Sequence, residues 1–307
     1  MKKTSIIFGL FLILGITASV ASTANNQVFS VDNTDGKITA QSIEEAFNST
    51  KMTVQVNNNM NSIFEKRYKK THHKSYNLAI FTHDASITKL MKKYPSIGRI
   101  TPLSMSIYSD DAKKTINIST LSLQGMARIT NIPADNPELI AYAKTLDEAL
   151  HKALPKGAYI AKDMNQKSTD KKIVTTFTTE LELEDGDTYS DAKDAFKEEF
   201  ESEISSAGYL VPKSYSFQDE TYDFFDTYSI IRFNAIFPVS KEHPDAGSYA
   251  PFSLVIYKKK GEETTYIEFP SITNWVNDLG IKDAETLKEV EKTQNMIAEI
   301  LEELTEE

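Results

Sequence analysis

Two serine–tyrosine pairs are the residues best placed to do chemistry: Ser104 with Tyr108, and again Ser253 with Tyr257. Four residues apart on an extended segment, the members of each pair project from the same side of a sheet. Two hydroxyls and two phenols of this kind can donate to and accept from one polar ligand, and these four are the candidate ligand-binding residues. The alternating Leu103, Met105 and Ile107 form the opposite face, so the same pattern also suits a sheet that is wet on one side. A second set, His72, His73, His83 and Asp84, contains metal-ligating types. The intervening Tyr76 to Phe81 reads as a strand, which holds the two ends roughly 20 Å apart or more, so no metal is assigned. His151 and His243 have no neighbours at ligand spacing.

The chain has no cysteine, which excludes a thiolate nucleophile, a disulfide framework and thioether-linked haem. It also lacks a Gly-x-Ser-x-Gly elbow, a His-Glu-x-x-His helix and a glycine-rich phosphate or dinucleotide loop. No catalytic residue and no cofactor is therefore assigned. Because triads assemble in space rather than in sequence, a cofactor-poor enzyme remains the alternative to a binding protein.

The elements that position the two pairs are written twice. From Pro102 to Ile132 the second copy follows at a constant offset of 149 residues. Pro102, Ser104, Ile107, Tyr108, Thr115, Ile118, Ser122 and Ile132 recur as Pro251, Ser253, Ile256, Tyr257, Thr264, Ile267, Ser271 and Ile281. Each copy reads as a hairpin running into a short helix. The first unit, 25–155, reads as strand, helix, strand, short helix, strand (Tyr76 to Phe81), helix, hairpin and two closing helices. The second, 173–307, repeats the order with strands at 173–183, 209–217 and 228–236 and a closing helix at 284–304. Aligning Tyr228 with Tyr76 gives an offset of 152, which puts a three-residue difference before Pro251, where Pro238 to Gly247 reads as a connection. A linker at 156–172, directly after Pro155, carries Gly157 near its start and a polar run. Consecutive strands with short helices between them predict an α+β fold: two repeated two-layer domains, each a mainly antiparallel sheet with helices on one face.

The two hairpins, Pro102 to Tyr108 and Pro251 to Tyr257, with their paired-helix tails, resemble the bacterial family catalogued as domain of unknown function 302. The resemblance covers nearly all of the chain after its first residues, as two tandem copies, and implies compact two-layer α+β domains with no settled activity or cofactor. Ile100-Thr101 and Tyr249-Ala250 stand before the prolines where many members have an acidic residue, and no site residue is carried over.

Partner contacts are sought in segments that differ between copies. Lys66, Arg67, Lys69, Lys70 and Lys74 occupy the same stage of the first unit that Asp219, Glu220, Asp223 and Asp226 occupy in the second, so opposite charges presented from equivalent positions could meet within one chain or between chains. Tyr222, Phe224 and Phe225 belong to the same stretch; the adjacent phenylalanines cannot both bury on one face, which leaves one to line a groove or meet a partner. Residues 25–157 carry a net +5 and residues 158–307 a net −17. The overall −10 makes nucleic acid a poor partner.

At the N-terminus Lys2 and Lys3, the apolar Ile6 to Ile16 and Ser19-Val20-Ala21 read as a secretory signal over 1–24. The apolar run is shorter than the roughly 20 residues of a membrane span, and a retained anchor is the alternative. The sequence thus describes a periplasmic or secreted protein, without a stable membrane span after cleavage, that binds a small molecule or another envelope protein and forms a possible homodimer. An open apolar groove would favour binding, whereas the alternative enzyme would have its site at the junction of the units. An enclosed pocket with converging Tyr, Ser and acidic groups would favour the enzyme.

Overall fold

Strand β1 (Asn26–Asp32) opens the first repeat, followed by α1 (Ala40–Asn48), β2 (Thr53–Asn59), α2 (Met60–Tyr68), β3 (Tyr76–Thr82), α3 (Asp84–Met91) and a 3-10 helix at Pro95–Ile100. The hairpin β4 (Leu103–Asp110) and β5 (Thr115–Leu121) leads into α4 (Leu123–Thr130), α5 (Pro137–Ala153) and the two-residue β6 (Ala158–Tyr159). The second repeat comprises β7 (Val174–Glu180), α6 (Tyr189–Ser206), β8 (Leu210–Phe217), β9 (Tyr222–Ile231), α7 (Phe233–Glu242), a 3-10 helix at Pro244–Ser248, β10 (Phe252–Lys259), β11 (Thr264–Pro270), α8 (Thr273–Leu279) and α9 (Ala284–Glu303). This computed structural model describes residues 24–161, 172–183, 186 and 188–306, with Asn274 described in its backbone only. The signal-like segment and most of the expected linker lie outside the described residues.

The protein is α+β, with two antiparallel sheets ordered β2-β3-β4-β5-β1-β6 and β7-β11-β10-β9-β8. Local chemistry sets the boundaries. Thr39 and Ser42 cap α1 reciprocally, and Asn136 accepts from the first N–H groups of α5 with Pro137 as its first residue. Helix α4 ends on Asn131 and α8 on Gly280, both left-handed, and these two C-caps stand 149 residues apart.

Ladder register extends that offset further back than the sequence indicates. Tyr108 pairs with Tyr76, and Tyr257, its counterpart, pairs with Phe225; likewise Leu103 pairs with Phe81 and Phe252 with Ile230. Phe225, not Tyr228, is thus the equivalent of Tyr76, and the expected offset of 152 is corrected to 149. No three-residue difference precedes Pro251, because Phe233–Glu242 is a helix matching α3 despite Pro238 within it. Strand β9 correspondingly begins at Tyr222 and ends at Ile231.

The hairpin strands β4 and β10 do not expose a wet face. Each is covered by helices on one side and by the other repeat on the opposite side, so Leu103 to Tyr108 and Phe252 to Tyr257 are buried on both faces. The cover is reciprocal: the 3-10 helix of the first repeat packs on β10 and β11, and that of the second on β4 and β5. Gly98 and Gly247, 149 residues apart, sit at the closest approach. A Cβ on Gly98 would overlap the Val255 side chain, and one on Gly247 the backbone of Ser106. One continuous apolar core runs through both repeats.

Candidate functional site

The exchange of 3-10 segments creates a pseudo-twofold interface with paired contacts. On one side His73 Nε2 meets the Ser240 carbonyl oxygen at 2.6 Å; on the other Tyr222 Oη donates to the carbonyl of Met91. His73 and Tyr222 are equivalent positions, as are Met91 and Ser240. Near the axis lie Pro102 and Pro251, with a cavity of about 20 Å³ between them that is lined by both Ser104 and Ser253. It has room for a water molecule and no more.

The larger opening lies off the axis. A groove of about 280 Å³ is lined by Val56, Asn58, Met60, Leu78 and Ile80 of the first repeat and by Leu210, Val211, Pro212, Ile231, Phe233 and Pro251 of the second. The strand register explains its apolar character. Leu78 lies opposite Ser106 and Ile80 opposite Ser104, which turns both side chains toward the second repeat. The equivalent positions on the other side of the axis hold Thr227 for Leu78, Ser229 for Ile80, Thr82 for Ile231 and Asp84 for Phe233. The two sides therefore differ in kind: one is an open apolar groove, and the other carries buried hydroxyls, Thr227 and Ser229, with no hydrogen-bond partner among the described residues.

The profile described as Domain of unknown function DUF302 matches residues 29–156. Residues 29–156 are a DUF302 domain. A crystal structure described as an uncharacterized conserved protein DUF302 from Bacillus stearothermophilus is similar over 42% of this chain and 96% of its own, at 17% identity and a TM-score of 0.33. No curated protein matches the chain.

Within the DUF302 domain, Ser104 and Tyr108 are both buried. Ser104 joins Ser253 at the small axial cavity, where Ser253 Oγ donates to the Pro102 carbonyl at 2.6 Å. Tyr108 lies apart, 6.4 Å from the His73 ring, and Tyr257 stacks on Tyr266 and Phe225 at 5.1 and 5.8 Å. The structure brings the serines together and keeps the tyrosines away from them; none of the four lines the apolar groove. Burial, with Asp245 near Tyr108 and Glu268 near Tyr257, raises both phenols far above their ordinary value and keeps them protonated.

The basic segment meets the second repeat through rings rather than carboxylates. Arg67 stands over Phe233 at 5.0 Å, Tyr68 stacks on Phe237 at 4.0 Å and its hydroxyl donates to Asn234. Lys66, Lys69 and Lys70 are exposed. The acidic residues pair elsewhere: Asp219 with Lys92 of the DUF302 domain at 3.7 Å, Asp223 with Lys258 at 2.6 Å and Asp226 with Lys197 at 3.1 Å. The two charged segments thus do not face one another, because each packs on a helix of the opposite repeat, α7 or α3. Phe224 and Phe225 are both buried, on opposite faces of β9: Phe224 lies below Lys193 of α6 and Phe225 beside Gly98. A sheet covered on both sides accommodates adjacent phenylalanines without leaving either free. The His72 ring lies 4.4 Å from that of Phe237, tilted against it by 35°.

Sequence reasoning missed the groove, since its residues are ordinary aliphatic ones. The signal available was the exchange of Leu78 and Ile80 for Thr227 and Ser229, visible only at the correct offset.

Proposed function

We propose that this protein is an exported binding protein of the cell envelope, and that it holds a small, uncharged, largely apolar molecule in the groove between its repeats. The observation that carries this reading is the lining: ten of the eleven residues are apolar, Asn58 is the one polar side chain, and none is titratable. Its volume of about 280 Å³ sits at the small end of ligand sites, whose walls are apolar with a few placed polar groups. General acid–base or nucleophilic catalysis needs a titratable group within reach of the reacting atoms, which this lining does not supply. The export component rests on the N-terminal sequence pattern. Among the described residues no helix is long and apolar enough to cross a membrane.

The test is titration of the purified protein with the fluorescent apolar probe N-phenyl-1-naphthylamine. Saturable enhancement is expected, weakened at least about tenfold by Ile80→Trp in the wall and by Leu210→Trp at the rim, where Leu210 is 42% exposed. Absence of saturable binding, or binding indifferent to both substitutions in folded variants, would overturn the proposal. Intact mass of the protein from an envelope fraction tests export separately: loss of the residues up to about Ala21 supports it, and retention of Met1 points to an anchored form.

A further inference from the structure

Three of the four sheet edges are closed or interrupted. Strand β1 carries β6 along its outer side; β2 has a bulge between Val54 and Val56; β8 has a bulge between Leu210 and Lys213 and holds Pro212 within it. These are the devices by which proteins keep sheet edges from pairing with other chains. Strand β7 has none of them. It pairs with β11 without a shift from Val174 to Glu180, contains no proline or lysine, and has no second neighbour among the described residues.

The sequence of this edge is complementary to itself. Thr175-Thr176-Phe177-Thr178-Thr179 reads the same in both directions, so antiparallel pairing with a second copy about Phe177 sets Thr176 opposite Thr178 and Thr175 opposite Thr179. The same register sets Val174 opposite Glu180 and, continued outward, Ile173 opposite Leu181 and Lys172 opposite Glu182, the last two an apolar pair and an ion pair. Each of these contacts occurs twice about a twofold axis, as an isologous interface requires. Threonine, aromatic and opposite-charge cross-strand pairs are the favourable kinds.

The hydrogen-bonding phase agrees with that register. Ser271 N–H donates to the Ile173 carbonyl at 2.9 Å, which makes residues 173 and 271 a hydrogen-bonded pair. By alternation Thr175, Phe177 and Thr179 turn their backbone groups to β11, while Val174, Thr176, Thr178 and Glu180 turn theirs outward. Pro270, which has no N–H, accordingly falls opposite Val174 at a non-bonded position. Centring on Phe177 places the outward-turned residues of the two copies opposite one another.

We propose that β7 is a self-association edge, through which two copies of the chain join their five-stranded sheets into one sheet of ten strands. The absence of cysteine gives a direct test on the mature protein at about 0.15 M salt. Phe177→Cys places two thiols on the axis at a non-hydrogen-bonded pair, where Cα atoms stand about 4.5 Å apart, within disulfide reach. Thr175→Cys places them about four residues out of register. Under diamide, Phe177→Cys is expected to form a cross-linked dimer and Thr175→Cys is not; equal cross-linking of both would overturn the register. Sedimentation equilibrium into the high micromolar range is expected to show a dimer that Thr176→Pro abolishes. That substitution removes only an outward N–H, and proline is tolerated at such an edge position. Lys172→Glu and Glu182→Lys are each expected to weaken association about three- to thirtyfold, and the double exchange to restore it. A wild-type chain that stays monomeric throughout, or a dimer indifferent to Thr176→Pro, would overturn the proposal.

Discussion

Arg99 Nε donates to Glu268 at 2.8 Å across the interface between the repeats, and 149 residues away from each the same relationship is made by Ser248 and Ser119. Two equivalent contacts on one pseudo-twofold interface are thus met by an ion pair on one side and two hydroxyls on the other. Both charged side chains are largely withdrawn from water, at 15% and 7% exposure, and Arg99 also donates to the Ile129 carbonyl at 3.2 Å.

Removing one member of this pair strands the other. Glu268→Ala and Arg99→Ala are each expected to cost about 3 kcal/mol, the scale for an uncompensated buried charge. Arg99→Ser combined with Glu268→Ser, which copies the other side, is expected to cost less than the sum of the single alanine changes. Urea denaturation of the three variants and the wild type checks it; additive costs would remove the coupling.

The two interface glycines should differ in sensitivity. A Cβ at Gly98 meets a side chain, Val255, while one at Gly247 meets backbone atoms of Ser106. Gly98→Ala is therefore expected to cost about 1–3 kcal/mol, as overpacking does, and to be partly relieved by Val255→Ala. Gly247→Ala is expected to cost more than Gly98→Ala, with no side-chain truncation able to relieve it. Denaturation midpoints at unchanged slope are the measurement.

Acid should weaken the fold from near neutrality downward. Burial lowers the pKa of His72, with His73, Lys70 and Lys241 adding repulsion, and burial likewise lowers that of His83, where Lys51 and Lys89 repel and Asp84 opposes. As pH falls through the ordinary histidine value of 6.5, the unfolded chain takes up protons that the folded one resists, so stability declines toward the lower folded pKa values. A denaturation series between pH 7.5 and 5 is expected to show this slope, flattened in His72→Gln/His83→Gln. A slope unchanged in the double variant would assign it to other groups.

Tyr222→Phe removes the hydroxyl that meets the Met91 carbonyl. Loss of this buried bond, with the carbonyl left unmet, is expected to cost about 1–3 kcal/mol. Thermal unfolding measures it, and a neutral effect would show the carbonyl to be satisfied otherwise.

The hairpins were legible because Pro102 to Tyr108 and Pro251 to Tyr257 repeat apolar and polar positions at one spacing, and local pattern fixes a hairpin. Helix α7 was not, because Pro238 and Pro244 read as breakers; tertiary packing of Ala235, Ile236 and Val239 in the core overrides that local signal. The burial of Ser104 and Tyr108 was hidden for a different reason. A polar face looks wet from one strand alone, and what covers it here comes from residues 244–248, more than 130 positions away. The groove depends on the same long-range cover, so its walls were visible only as unremarked aliphatic residues.

The linkage of both repeats in one polypeptide also bears on the groove itself. A symmetric dimer of single repeats displays every substitution twice, once on each side of its axis. In a tandem chain Leu78 and Ile80 can be aliphatic while Thr227 and Ser229 are hydroxylic, and Arg99 can face Glu268 without a second arginine at Ser248. Covalent fusion has therefore released the two sides from identical sequence, and the wall from Leu78 to Phe233 is apolar where its equivalent, Thr227, Ser229, Thr82 and Asp84, is polar.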